Sequence, residues 1–273
     1  MGSKSQEDET IPVTNRKIAG LGGLRWASFG GFSLLFDNPG ESVSAMGRGW
    51  LKVDCSVHAD PDLRLYGSFA RSLDRMGQDL LSKEYLFCPL PPYSYHVTVW
   101  GGLNDGNVER LSHDHRLDLE RFLTDLPDSI LTDSKFTSEI CDSPLVTRTG
   151  WAIRFKFDTL AKWGNQVLVA RLTPADEESR NALTRIIADR EELTGRFQKV
   201  FGVRTCTGYS PHVSLGYFAN NDYAERATPQ VDRWTKVVGE EAGDLAITFG
   251  SIGLYGFTDM VTLFRRANPC SDQ

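Results

Sequence analysis

Apolar and polar positions alternate with two different periods along this chain, and the changes of period divide it into elements. Within residues 60–80 apolar side chains recur at Leu65, Phe69, Leu73, Met76 and Leu80. That spacing of three or four predicts an amphipathic helix, with Asp60-Pro61 at its start. The prolines of LFCPLPPYSYHVTVW end the helical period, and residues 93–100 emerge as a strand. A second helix is expected from Asp114 into Phe122. WAIRFKF and QVLVARLTP read as two strands joined by a turn through Trp163-Gly164-Asn165. DEESRNALTRIIADREELTGRF is a helix, opened by Thr173-Pro174 and closed near Gly195. GYSPHVSLGYF is a further strand, and YAERATPQVDRWTKVVGEEA carries helical turns interrupted at Pro229. LAITFGSIGLYGF and DMVTLFRR close the chain as strands. Helices interspersed with strand pairs on short turns give an α+β class with antiparallel sheets.

Composition narrows the picture only a little. At 273 residues, 40% hydrophobic and 24% charged, the chain is long enough for one large domain or two lobes. No run approaches the roughly 18 apolar residues that a membrane span needs. The polar start has no apolar signal core, and Gln6 stands where a myristoylation pattern wants Ser or Thr. Residues 1–16 therefore read as a flexible leader to a single domain over 17–273. A formal charge of −6 argues against a long nucleic acid, whose binding is driven by phosphate neutralisation, and leaves small nucleotides open. Cys55, Cys88, Cys141, Cys206 and Cys270 are scattered and odd in number, which suits free thiols in the cytoplasm, with the nucleus as the alternative. Gly20-x-Gly22 lacks the third glycine of a dinucleotide fingerprint and no strand precedes it, so turns around a strand at residues 32–36 are the reading.

Chemistry enters with a repeat. YSYHVTV at residues 93–99 and YSPHVSL at residues 209–215 keep Tyr, Ser, His and Val in place and exchange Thr98 for Ser214. Bare H-x-[ST] matches are common; the shared Tyr-Ser, the apolar flanks and a helix upstream of each copy set these two apart. Strand parity puts His96 and Thr98 on one face and Val97 and Val99 on the other, and likewise His212 and Ser214 against Val213 and Leu215. Side by side, two such strands present two imidazoles and two hydroxyls. One neutral imidazole can take a proton from an attacking water and one protonated imidazole can give a proton to a leaving oxygen. The hydroxyls can hold the non-bridging phosphate oxygens. Such a scheme calls for no metal and no cofactor.

The paired motifs resemble the 2H phosphoesterase superfamily, which includes RNA 2′,3′-cyclic phosphodiesterases, 2′-5′ RNA ligase-like proteins and cyclic nucleotide phosphodiesterases. The resemblance implies a bilobal α+β fold, an antiparallel sheet in each lobe, and the two motifs facing across a central groove. Carried over by position, His96 and His212 are the acid/base pair, and Thr98 and Ser214 the phosphate-holding hydroxyls. A metal-independent phosphodiesterase acting on a small nucleotide or an RNA end with a cyclic phosphate is the expected function. A nucleotide-end-binding module without turnover is the alternative. Segments 38–60 and 105–143 are the extra length that can shape substrate choice.

Other candidates have competing readings. Trp100 shares the parity of His96 and Thr98, where an indole can stack on a base for ~1–3 kcal/mol; the competing reading packs it at the strand's end. Tyr93 and Tyr209 lie on the opposite parity, or in the loops entering each strand where they can touch substrate. His113 and His115 flank Asp114 without a third ligand and read as a solvated helix start. His58 has no companion. Ser94 and Ser210, two residues before the histidines, are expected to bond locally rather than act as nucleophiles.

Overall fold

A computed structural model describes residues 13–20, 25–39, 43–45, 50–53, 57, 60–164, 166–205 and 208–266. His58 and Gly22 lie outside these, so the readings made for them are not addressed. A short antiparallel pair, β1 (Ile18–Gly20) and β2 (Arg25–Trp26), precedes β3 (Gly31–Phe36), β4 (Val43–Ala45) and β5 (Trp50–Val53). Helices α1 (Arg64–Met76) and α2 (Gln78–Glu84) lead to β6 (Phe87–Pro89) and β7 (Thr98–Asn104). Three helices follow, α3 (His113–Thr124), α4 (Lys135–Cys141) and α5 (Pro144–Thr147), then the hairpin of β8 (Ile153–Trp163) and β9 (Val167–Pro174). The long helix α6 (Glu177–Phe201) precedes β10 (His212–Phe218), α7 (Asn221–Ala227) and α8 (Val231–Ala242). β11 (Ala246–Phe249), β12 (Ile252–Phe257) and β13 (Leu263–Arg266) complete the chain.

The strands form two larger sheets, ordered β11-β8-β9-β10-β6 and β4-β5-β13-β12-β3-β7. Every ladder in both is antiparallel. The class is therefore α+β, as the interspersed pattern predicts. One rung joins the sheets, an antiparallel bridge between Val97 and Val213. The core runs continuously through this seam, since Val97, Val99, Val213 and Leu215 are buried with the rest of it.

Several boundaries differ from the sequence reading: the strand expected over residues 93–100 is β7 over Thr98–Asn104, entered through a 3-10 turn at Pro92–Ser94, and the strand expected from residue 208 begins at His212. Gly77, at φ +87°, breaks the first helix into α1 and α2. The break advances the helical phase by one residue, so Leu81 is buried and Leu80 exposed. Helix α6 starts after the Asp176 cap, because β9 continues to Pro174, and it runs past Gly195 to the left-handed Gly202. An exposed mid-helix glycine costs about 1 kcal/mol, less than burying Phe197 and Phe201 contributes.

The expected leader is ordered at its end. Thr14 and Asn15 donate backbone hydrogen bonds to the Ala219 carbonyl, and the Asn15 side chain, 5% exposed, donates to Phe218. The expectation of five free thiols fails at Cys141, which is disulfide-bonded, while Cys88 is free and buried. The cysteine pattern thus loses its argument for a reducing compartment, because pairing across a fold is not legible in spacing. Among the described residues no helix is long and apolar enough to cross a membrane.

Candidate active site

The bridge between Val97 and Val213 sets the register of the two motifs. In an antiparallel pair, His96 then stands opposite Ser214, and Thr98 opposite His212. Exposure alternates as parity requires: His96, Thr98, His212 and Ser214 are each partly exposed, while Val97, Val99, Val213 and Leu215 are buried. The structure thus brings the four predicted polar groups onto one face at the seam.

Both imidazoles are held the same way. The Nδ1–H of His96 donates to the Ser94 carbonyl at 2.8 Å, and that of His212 donates to the Ser210 carbonyl at 2.9 Å. A carbonyl can only accept, so Nδ1 carries the proton and Nε2 keeps its lone pair for chemistry. The serine shared by the two copies has a main-chain task here: it contributes a carbonyl oxygen, which any residue type would supply. The Ser94 hydroxyl bonds locally, to the Pro91 carbonyl at 2.8 Å, as expected. Burial pushes the His96 imidazole below its ordinary value against the Ser94 bond, and Lys17 adds to the depression. His212 is pushed down to about 4, first by burial and then by the charges of His96 and Lys17, with the Ser210 bond opposing. Lys17 lies just beyond the expected leader, where its Nζ donates to the Tyr217 hydroxyl at 3.1 Å over the Tyr217 ring.

Each motif strand is interrupted immediately after its hydroxyl residue. Thr98 pairs with Leu35 but Trp100 with Leu34, so Val99 is an extra residue in the ladder to β3. Ser214 pairs with Val169 but Gly216 with Leu168, so Leu215 is the extra residue in the ladder to β9. A β-bulge reverses the parity of the residues beyond it. Trp100 consequently leaves the polar face: it is 0% exposed, donates to the Thr194 hydroxyl at 3.1 Å and meets Phe197 edge-on at 4.7 Å. The base-stacking expectation for Trp100 is corrected by this turn into the core beneath α6.

A cavity of about 370 Å³ opens beside His212, lined among others by Thr98, Gly101, Trp163, Arg190 and Tyr209. The Trp163 ring packs against His212 with centroids 4.2 Å apart. Tyr209 lines this cavity, but its hydroxyl is engaged by the Thr98 carbonyl at 3.1 Å. Tyr93 is placed elsewhere, 39% exposed on a different cavity with Trp26, Pro91 and Pro92. Arg190 is a site residue that the sequence reading does not single out. A signal for it exists: it stands four residues after Ile186, on the stripe that continues through Leu193 and Phe197. Lys17 and Trp163 carry no comparable signal.

His113 opens α3 and His115 accepts from Lys135 Nζ at 3.0 Å, beside the Lys135–Asp118 ion pair. No cluster of three metal-ligating side chains occurs among the described residues.

No protein-family model matches the chain, and no curated protein matches it. A crystal structure of a conserved protein of unknown function from Agrobacterium tumefaciens is similar, at 12% identity and a TM-score of 0.53. The match covers 94% of this chain and 91% of that one, so the two share a fold over nearly their whole length. Usb1 from Kluyveromyces marxianus, in a structure with uridine monophosphate, matches at 12% identity and a TM-score of 0.34 over 87% of this chain and 97% of that one. At that score the Usb1 likeness carries no inference.

Proposed function

We propose that the chain is a metal-independent phosphodiesterase that hydrolyses a 2′,3′-cyclic phosphate, a cyclic nucleotide or a short RNA-type phosphodiester. The observation that carries this reading is the cross-strand register, which sets each imidazole opposite the other motif's hydroxyl with both Nδ1 atoms tied to carbonyls. One Nε2 takes the proton of an attacking water as its oxygen bonds to phosphorus. The other, protonated, gives its proton to the leaving ribose oxygen as that P–O bond breaks. Thr98 and Ser214 donate to the non-bridging oxygens, where charge is held in the transition state. Two imidazoles on one surface fit in-line displacement, and the scheme routes no step through a metal.

One observation favours the alternative, a nucleotide-end-binding module without turnover. Burial lowers the proton affinity of both imidazoles, whereas a general acid must start protonated. The substrate's own negative charge offsets this, because an anion between the histidines raises both values. His96→Ala and His212→Ala are each expected to abolish hydrolysis of nucleoside 2′,3′-cyclic phosphates while the thermal unfolding profile stays cooperative. Turnover that persists in both variants, or that disappears with a chelator, rejects the mechanism. Saturable nucleotide binding without any product selects the binding module.

A further inference from the structure

The cavity beside His212 contains a positive charge that the fold leaves incompletely satisfied. Arg190, only 4% exposed, reaches it from α6. Its Nε donates to the Val99 carbonyl at 2.9 Å and its guanidinium lies 4.9 Å from the centre of the Tyr209 ring. Its Nη1 has no hydrogen-bond partner among the described residues but is sealed from solvent, so contact with an occupant of the cavity falls to Nη2. Glu191 Oε1 lies 3.6 Å from Nη1, within ion-pair reach, but the other Glu191 oxygen accepts from Arg204 at 2.6 Å. The three side chains therefore sum to one positive charge. A buried guanidinium left with net positive charge is costly, and an anionic ligand in the cavity that it lines would offset that charge.

The surroundings fit such a ligand. Thr98 and His212 line the same cavity, so an occupant lies next to the reacting groups. Room is kept at Gly101, which lines the same cavity and where an added Cβ would meet nothing within 4 Å. With Nε bonded to Val99 and Nη1 sealed, Nη2 remains to donate one charge-assisted bond to a phosphate oxygen. His96 is not part of this wall, so the approximate symmetry of the two motifs is broken here.

We propose that this cavity is a subsite for a second phosphate of the substrate, held by Arg190 while the reacting phosphate lies on the four-group surface. The inference rests on the phosphodiesterase reading and narrows it. The substrate class becomes an oligonucleotide end carrying another phosphate beside the reacting one, rather than a lone nucleoside cyclic phosphate.

The test compares adenosine 2′,3′-cyclic phosphate with a dinucleotide ending in the same cyclic phosphate. The kcat/KM of the wild-type chain should be about tenfold higher for the dinucleotide, chiefly through KM, as one charge-assisted hydrogen bond supplies. Arg190→Met should erase most of that ratio and Arg190→Lys should keep part of it. Gly101→Leu, which fills the cavity and leaves Arg190 in place, should lower the ratio as well. A wild-type ratio near one, or a ratio unchanged in both Arg190→Met and Gly101→Leu, overturns the subsite. Because Arg190 also braces Val99, phosphorus NMR supplies a readout independent of turnover. Inorganic phosphate titrated onto the His96→Ala/His212→Ala protein should still fill one saturable site, lost when Arg190→Met is added and retained with Arg190→Lys. Phosphate bound only through the histidines overturns the subsite. If that site is intact while neither substrate is hydrolysed, the phosphodiesterase reading falls and the subsite stands.

Discussion

The hydroxyl of Tyr209 donates to the carbonyl of Thr98 at 3.1 Å, tying the loop that enters one motif to the strand of the other. Two residues that are 111 apart in sequence thus fix the local geometry of a proposed phosphate-holding hydroxyl. Tyr209→Phe removes that one bond and keeps the ring beneath Arg190. With a neutral hydrogen bond contributing about 0.5–1.5 kcal/mol, turnover of a cyclic phosphate should fall several-fold while KM changes little. Steady-state kinetics on the variant would read this split, and an unchanged kcat would show that the bond does not position Thr98.

The depressed histidines give stability a defined pH dependence. His212 folds with its value at about 4, well under the unfolded value, and His96 is shifted the same way. Between those limits the unfolded chain binds more protons than the native one, so native stability rises with pH there. Their contribution is complete above pH ~6.5, the unfolded value, and is lost as pH falls toward the folded one. Urea unfolding from pH 7 down to pH 4 should show this loss, and His212→Asn should flatten the slope.

Lys17 acts on the same pair through its charge. It lowers both histidines, so Lys17→Met should move both imidazole titrations upward. Ring-proton NMR titration of the two histidines would measure the shift; two titrations that stay in place would remove Lys17 from the site.

Trp100 should behave as a core residue. Trp100→Ala is expected to destabilise the fold by about 3–5 kcal/mol, as deletion of a buried aromatic does. Trp100→Phe keeps most of the packing and loses the bond to Thr194, a cost of about 1 kcal/mol. Denaturant midpoints would separate the two. A Trp100→Phe variant with normal stability but altered base preference would return the indole to the substrate.

Gly216 permits a close approach that no other residue allows. An added Cβ would lie 2.4 Å from the Cys88 carbonyl oxygen and 2.4 Å from the Phe87 ring. Gly216→Ala should therefore push β6 from β10, at a cost of about 1–3 kcal/mol. Hydrogen exchange at the Leu90 amide, which bonds the Leu215 carbonyl, would report the loosening.

The repeated motif makes the four polar groups legible in the sequence alone, because strand parity is short-ranged and His96, Val97 and Thr98 lie ahead of the irregularity. The bulge at Val99 is not legible: an extra residue in a ladder depends on how far the partner strand extends, and Val99 itself is an ordinary strand residue. Parity therefore places Thr98 correctly and misplaces Trp100, two residues later. Helix α6 is legible from its stripe, yet its end does not fall at Gly195, where local propensity yields to the burial of Phe197 and Phe201. Lys17 and Trp163 reach the site through tertiary packing alone, and spacing along the chain does not encode it. The Cys141 disulfide is hidden for the same reason.

The rung between Val97 and Val213 has a consequence for how this protein can be taken apart. Each half carries one imidazole and one hydroxyl, and each of these faces its complement in the other half. Cut between the motifs, neither fragment would hold a facing pair. On the proposed mechanism the unit that does chemistry is the joint between the two motifs.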